Sequence, residues 1–232
     1  MNYRNRLQYY LVKQTSISNK QAKEFIGSGN VTVNDILATE NVFINPYSKV
    51  VLNQKIISKT HELIYVAYHK PAGIECTLNE KVNCNLKSYL PEALKNLIYA
   101  GRLDKASEGL LLLTNDGHLI NKIIAPEAHL PKKYFVGLEK PYNHEFVRLM
   151  ENGIQVSGKI TFPCKVEPID EQTFNIILTQ GMNRQIRRMC FTLGNYVIQL
   201  RRTSIGAIDL GELGKSEFRF LSQYEVNYLQ NL

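Results

Sequence analysis

Residues 101–117 read GRLDKASEGLLLLTNDG. The run Leu110 to Leu113 is too short for a helix and is bounded by Gly109 and by Asn115-Asp116-Gly117. It therefore reads as a strand buried on both faces, turned by Asn-Asp-Gly into a helix over 118–125. A short strand at 97–100 precedes it. Between the two apolar strands lies a loop with Arg102, Asp104, Lys105 and Glu108. Charges on a loop pinned at both ends are held rigidly, as a catalytic group requires. A solvated connection is the competing reading of the same composition.

Working outward, strands are expected at 63–68, 133–138, 173–179 and 196–202, the first ending in the turn His69-Lys70-Pro71-Ala72-Gly73. Helices are expected at 144–151, 184–193 and 223–232, the last capped by Ser222 with Glu225. Strands and helices mix without parallel-crossover regularity. This predicts an α+β fold with a mixed, mainly antiparallel sheet.

The first 62 residues form a pattern of their own. They carry eight Lys/Arg and four Asp/Glu, net +4, against net +3 for the remaining 170. A helix over 4–13 places Leu7, Tyr10 and Leu11 on one side. Ser18, with Gln21 as capping-box partner, starts a second helix whose apolar face is Ala22, Phe25 and Ile26, and Gly27 and Gly29 stop it. Lys20 and Lys23 project together from its solvent side. A strand and turn follow at 31–35. Val42, Ile44, Val50 and Leu52 suggest two more short strands around Pro46-Tyr47-Ser48. The polar stretch 53–62 reads as a bridge, giving domains 1–62 and 63–232.

The 232 residues are 44% apolar and 21% charged, which excludes bulk disorder. No apolar run approaches the ~20 residues of a membrane span, and no apolar segment follows Arg4 and Arg6, so neither a membrane location nor secretion is expected. Cys76, Cys84, Cys164 and Cys190 form no C-x-x-C pair, which argues against a zinc site or disulfides and for a reducing cytoplasm. A net charge of +7 points to a polyanionic partner.

Two further stretches sharpen that reading. GMNRQIRRMCFTLGNYVIQLRR (181–202) holds five arginines and no acid. On a helix, Arg184, Arg187 and Arg188 share one side and Ile186, Cys190 and Leu193 fill the other. Arginine grips phosphate with a planar fork, although an exposed Arg-rich face fits Arg188, Arg201 and Arg202 equally. In PKKYFV (131–136), Tyr134 beside Lys132 and Lys133 can stack on a base while the lysines meet phosphate.

Taken together, GRLDKASEGLLLLTNDG, KPAG (70–73), KKYFV (132–136), GMNRQIRRM (181–189) and LRRTSIGAIDLGEL (200–213) resemble the small ribosomal-RNA-uridine pseudouridine synthases in order and spacing. GMNRQIRRMC most resembles the F-type large-subunit rRNA enzyme. RLQYYLVKQTSISNKQAKEFIGSGNVTVN resembles the S4 RNA-binding domain, with Asn19, Asn30 and Asp35 standing where basic residues and glycine are usual. That departure predicts weak RNA holding by this part.

The resemblance implies roles. Asp104 matches the catalytic aspartate, Tyr134 the tyrosine stacked on the target base, and Arg187 the basic residue that pairs with the aspartate. Arg102 matches the residue that fills the space left by a flipped nucleotide. Lys20, Lys23, Lys133, Arg184 and Arg188 are expected to contact RNA. The implied enzyme is a cytoplasmic monomer that isomerises a uridine of ribosomal RNA, 23S by likeness, and needs neither metal nor small-molecule cofactor. The carboxylate either attacks C1′ of the ribose or removes its 2′ proton. Burial would raise a carboxyl's pKa, and a nearby guanidinium would oppose that rise. A transfer-RNA substrate and a non-catalytic RNA-binding protein of ribosome assembly are the alternatives.

Overall fold

The computed structural model describes residues 6–44, 48–58, 63–125 and 128–232. The chain divides into two compact units, the first ending at Leu63 and the second running from Ile64 to Leu232.

In the first unit, helices α1 (Leu7–Thr15) and α2 (Asn19–Gly27) precede strands β1 (Val31–Val33), β2 (Ile36–Leu37), β3 (Val50–Leu52) and β4 (Lys55–Ile56). Ser18 and Gln21 form the expected reciprocal cap on α2. Leu7, Leu11, Ala22 and Ile26 bury against Val31, Val50 and Leu52. The sheet order is β2-β1-β3-β4. Both hairpins turn on two left-handed residues, Asn34-Asp35 (φ 52° and 65°) and Asn53-Gln54 (φ 49° and 64°). Paired left-handed residues match the right-handed twist of the flanking strands.

Two expectations need correction. The stretch 53–62 is not a bridge throughout, because β4 pairs with β3. Val42 and Ile44 build no strand, and Phe43 makes only an isolated bridge to Arg6. Arg4, Pro46, Tyr47 and the end of the expected bridge, 59–62, lie outside the described residues.

The second unit runs β5 (Tyr65–Lys70), α3 (Leu86–Tyr89), β6 (Ile98–Ala100), β7 (Glu108–Thr114), α4 (Gly117–Ile124), β8 (Lys132–Leu138) and α5 (His144–Asn152). It continues with β9 (Gln155–Val156), β10 (Lys159–Ile160), β11 (Lys165–Pro168), β12 (Thr173–Leu178), α6 (Gln185–Thr192), β13 (Val197–Ile205), β14 (Ile208–Asp209), β15 (Phe218–Phe220) and α7 (Gln223–Gln230). The main sheet has the order β11-β12-β8-β13-β7-β5-β15, with β6 on β7 and β14 on β13. Its pairings are antiparallel except β13 on β7, so the mixed, mainly antiparallel sheet is as expected.

The leucine run is buried on both faces. Leu110 and Leu112 pack with Leu119, Ile123 and Leu229, and Leu111 and Leu113 with Leu86, Leu94 and Tyr68. Burying each such side chain stabilises by about 1.5–3 kcal/mol. A third core joins Val136, Phe174 and Ile176 to Phe146 of α5 and to Ile186 and Met189 of α6. At the far end, Ser222 caps α7 and Glu225 takes both guanidinium nitrogens of Arg219, at 2.7 and 2.8 Å. No helix of the described residues is long and apolar enough to cross a membrane.

Candidate active site

The loop between β6 and β7 carries Asp104. Where it enters β7, that strand meets β13 in the sheet's parallel pairing, Arg201 opposite Glu108 and Arg202 opposite Gly109. Gly109 is required there. Its φ is +111°, and a Cβ would lie 2.3 Å from the Arg202 carbonyl oxygen and 2.6 Å from its nitrogen.

Other elements hold the loop through its main chain. The Ser107 amide donates to the Asp104 carbonyl at 3.0 Å, and the Gly73 amide to the Lys105 carbonyl at 2.7 Å. Lys70 Nζ, wholly buried, donates to the carbonyls of Ser107 (2.8 Å) and Pro71 (2.7 Å). Arg187 donates to Ala106 O at 3.0 Å, Ser107 Oγ at 3.3 Å and Val197 O at 2.9 Å. Arg202, only 3% exposed, donates to Leu110 O at 2.7 Å and Arg102 O at 3.4 Å. From Arg102 to Ser107, every carbonyl except that of Leu103 therefore has a named donor.

Three cations thus surround the loop. Burial lowers the Lys70 ammonium from its ordinary pKa, with Asp104 and Glu108 acting the other way. Burial likewise lowers Arg187; Arg184 adds to that, and Asp104 opposes it. Asp104 is thus within electrostatic reach of both. No ion pair joins Arg187 to Asp104 among the described residues, which corrects the expected direct pairing: its Nη1 and Nη2 donate to the Val197 and Ala106 carbonyls and to Ser107 Oγ instead. Glu108 is tied instead to Lys215 at 2.8 Å. Burial pushes its carboxyl up, but Lys215 outweighs this and holds it below its ordinary value.

Asp104 opens onto a cleft of about 770 Å³. Arg102 and Lys105 line it from the same loop, Lys132 and Tyr134 from β8, and Arg184 from the turn before α6. Side chains alternate along a strand, so Lys132 and Tyr134 share the cleft face and Lys133 takes the other. Lys133 is paired with Glu167 at 2.8 Å, and the hydrogen bonds from Lys133 and Lys165 bring that carboxyl down to about 2. The lysine that shares the cleft face with Tyr134 is therefore Lys132, half-buried, its Nζ on Leu130 O at 2.8 Å. Burial, with Arg202 nearby, lowers its pKa.

The arginine helix is phased differently from the expectation. Arg184 is exposed, left-handed (φ 54°) and outside α6, which begins at Gln185. Arg188 turns to Ser157 Oγ (2.6 Å) and Asn183 Oδ1 (3.0 Å), and it does not line the cleft. Arg202 is buried rather than part of an exposed face. Lys20 and Lys23 are exposed on α2 in the other unit. Sequence reading passed over Lys70 and Arg202 as parts of the site. The available signal was a lysine ending an apolar strand before Pro, and an arginine pair ending another. Among the described residues no group of three or more His, Cys, Asp or Glu is placed to hold a metal ion.

Comparison with known proteins agrees with this architecture. Residues 64–191 match the family model for RNA pseudouridylate synthase. The dual-specificity RNA pseudouridine synthase RluF of Escherichia coli K12 is 36% identical over 95% of this chain and 77% of its own length. The ribosomal small subunit pseudouridine synthase A of Vibrio cholerae is 32% identical over 95% of this chain and 97% of its own. A crystal structure of a pseudouridylate synthase superimposes with a TM-score of 0.71 at 29% identity, covering 97% of this chain and 99% of that one.

Proposed function

We propose, from the premise that this chain belongs to the RNA pseudouridylate synthase family, that it isomerises one uridine of ribosomal RNA with the Asp104 carboxylate as the reacting group. The chain is an RNA pseudouridine synthase, an intramolecular isomerase. The relatives named for dual-specificity RNA and for the ribosomal small subunit support ribosomal RNA as its substrate, and the likeness of GMNRQIRRMC favours 23S.

The observation that carries the assignment of Asp104 is the loop itself. Its carbonyls are served by Lys70, Arg187 and Arg202, from three separate elements, and its carboxylate opens onto a cleft with four further cations. The reaction breaks C1′–N1, turns the freed uracil and forms C1′–C5. The C5 proton is lost and N1 gains one, so atoms and electrons balance without a co-reactant. Asp104 either bonds to C1′ or takes the 2′ proton. Tyr134, on the cleft face of β8, stacks on the flipped base. Arg102 fills the gap in the helix, and Lys105, Lys132 and Arg184 meet phosphates. Arg187 is a positioning residue that acts through the loop. Lys133 and Arg188 leave the RNA-contact group, since each is engaged away from the cleft.

Residues 1–62 act, in this reading, as an S4-like RNA-holding domain. A capped helix presenting Lys20 and Lys23 beside a small hairpin sheet supports it.

The test is pseudouridine mapping on unmodified small- and large-subunit rRNA transcripts. Wild type should form pseudouridine at one position. Asp104→Asn should lower that rate by several orders of magnitude while RNA binding persists. An Asn variant as active as wild type would sink the assignment.

A further inference from the structure

One aromatic ring at the cleft has no part in the isomerisation. Phe162 follows β10, lines the cleft and leaves 46% of its surface exposed. Its ring lies 6.2 Å from that of His129, tilted by 39°.

The main chain around Phe162 is held by hydrogen bonds. Its own amide donates to Gln180 Oε1 at 3.1 Å, which also accepts from Gln185 Nε2 at 3.2 Å. Gln185 is buried, and its oxygen accepts the Met182 amide at 3.0 Å. Just upstream, buried Thr161 exchanges bonds with Ile154, amide to carbonyl at 3.0 Å and amide to Oγ1 at 2.9 Å. Gly153 makes this fit possible, since a Cβ there would lie 2.4 Å from Thr161 O. Arg188 reaches from α6 to Ser157 at the hairpin turn. The hairpin β9–β10 is thus keyed to α6, the helix whose Arg187 braces the Asp104 loop.

We propose that Phe162 is a stacking platform for an unpaired nucleobase of the substrate RNA next to the target uridine. The inference rests on the reading of this chain as an enzyme of ribosomal RNA. Flipping the target out breaks its stacking with its neighbours, and an aromatic face restores stacking for any base. Charge favours a nucleic acid over an apolar peptide here. The cleft lining carries Arg102, Lys105, Lys132, Arg184 and Arg202 against Asp104 and Glu75. Arg188, expected to bind RNA directly, instead steadies the hairpin that presents the platform.

The test compares Phe162→Ala, Phe162→Trp and Phe162→Leu on the rRNA transcript in which wild type forms pseudouridine. Phe162→Ala should bind that RNA about tenfold more weakly. The slope of log affinity against log salt should not change, because no counterion is involved. The saturated single-turnover rate should also hold. Trp should restore affinity and Leu should not, and the Leu variant controls for packing at a site exposed enough to tolerate all three. Wild-type affinity in the Ala variant, restoration by Leu as full as by Trp, or an altered salt slope overturns the proposal. A wild type that forms no pseudouridine in either transcript overturns the functional reading, and this proposal with it.

Discussion

Replacing Arg187 separates two ways a guanidinium can serve a carboxylate. The fork spans Val197 O at 2.9 Å and Ala106 O at 3.0 Å, with a longer bond to Ser107 Oγ at 3.3 Å. A hydrogen bond from a charged donor contributes about 1.5–3 kcal/mol, and this site is only half-buried, so the lower values apply. Arg187→Ala should therefore cost about 2–4 kcal/mol of unfolding free energy, read from urea melts. The loop loses its tie to β13 at the same time. A displacement near 1 Å costs a reaction about 100-fold, so the single-turnover rate at saturating RNA should fall by about that factor. Arg187→Lys is the deciding variant. It keeps the charge within reach of Asp104 but cannot bridge two carbonyls. If bracing is the role, Lys recovers part of the stability and little of the rate. Full recovery of rate by Lys, or an Ala variant as stable as wild type, would show that charge at Asp104 matters and that the hydrogen bonds do not.

The phasing of β8 gives a second prediction. Lys133→Ala should leave RNA affinity and its salt slope unchanged, whereas Lys132→Met should flatten the slope by about one counterion; filter binding at several salt concentrations reads both. A third concerns pH. The hydrogen bond from Arg219 holds the folded Glu225 carboxyl below its ordinary value of 4.5. The unfolded chain binds this proton first, so the bond's contribution is present above pH 4.5 and is lost as pH falls through the lowered folded value. Urea melts across this range should show wild type losing stability on acidification more steeply than Glu225→Gln. Parallel curves would remove Glu225 from the account.

The parts legible in the sequence were those whose cause is local. The four-leucine run, the caps Ser18/Gln21 and Ser222/Glu225, and the turn at Asn115-Asp116-Gly117 each state their own conformation. Strands β9, β10, β11, β14 and β15 span two to four residues and exist through their partners, so nothing in their own residues announces them. The first part of the sequence's polar bridge was misread for that reason, because Lys55 and Ile56 are strand only by pairing with β3. The site shows the same division. Asp104, Tyr134 and Arg102, singled out by their motifs, line one cleft. Which of two adjacent lysines faces that cleft depends on strand register, and a shift of one residue would exchange Lys132 and Lys133. Arg202 looked like surface charge until the parallel pairing with β7 placed it in the interior. The target of Arg187 was misjudged because carbonyls carry no signature in a sequence.

Protein synthesis delivers the N-terminal parts first, and that order matters for a loop braced by Lys70, Arg187 and Arg202. When Asp104 leaves the ribosome, only the first of those braces exists. The other two follow some 80 and 100 residues later. A nascent or partly unfolded chain therefore contains the Asp104 carboxylate without aiming it. On the proposed role of Asp104, such species would be inert toward the RNA around them, and activity would arrive only with the folding of the parts that follow.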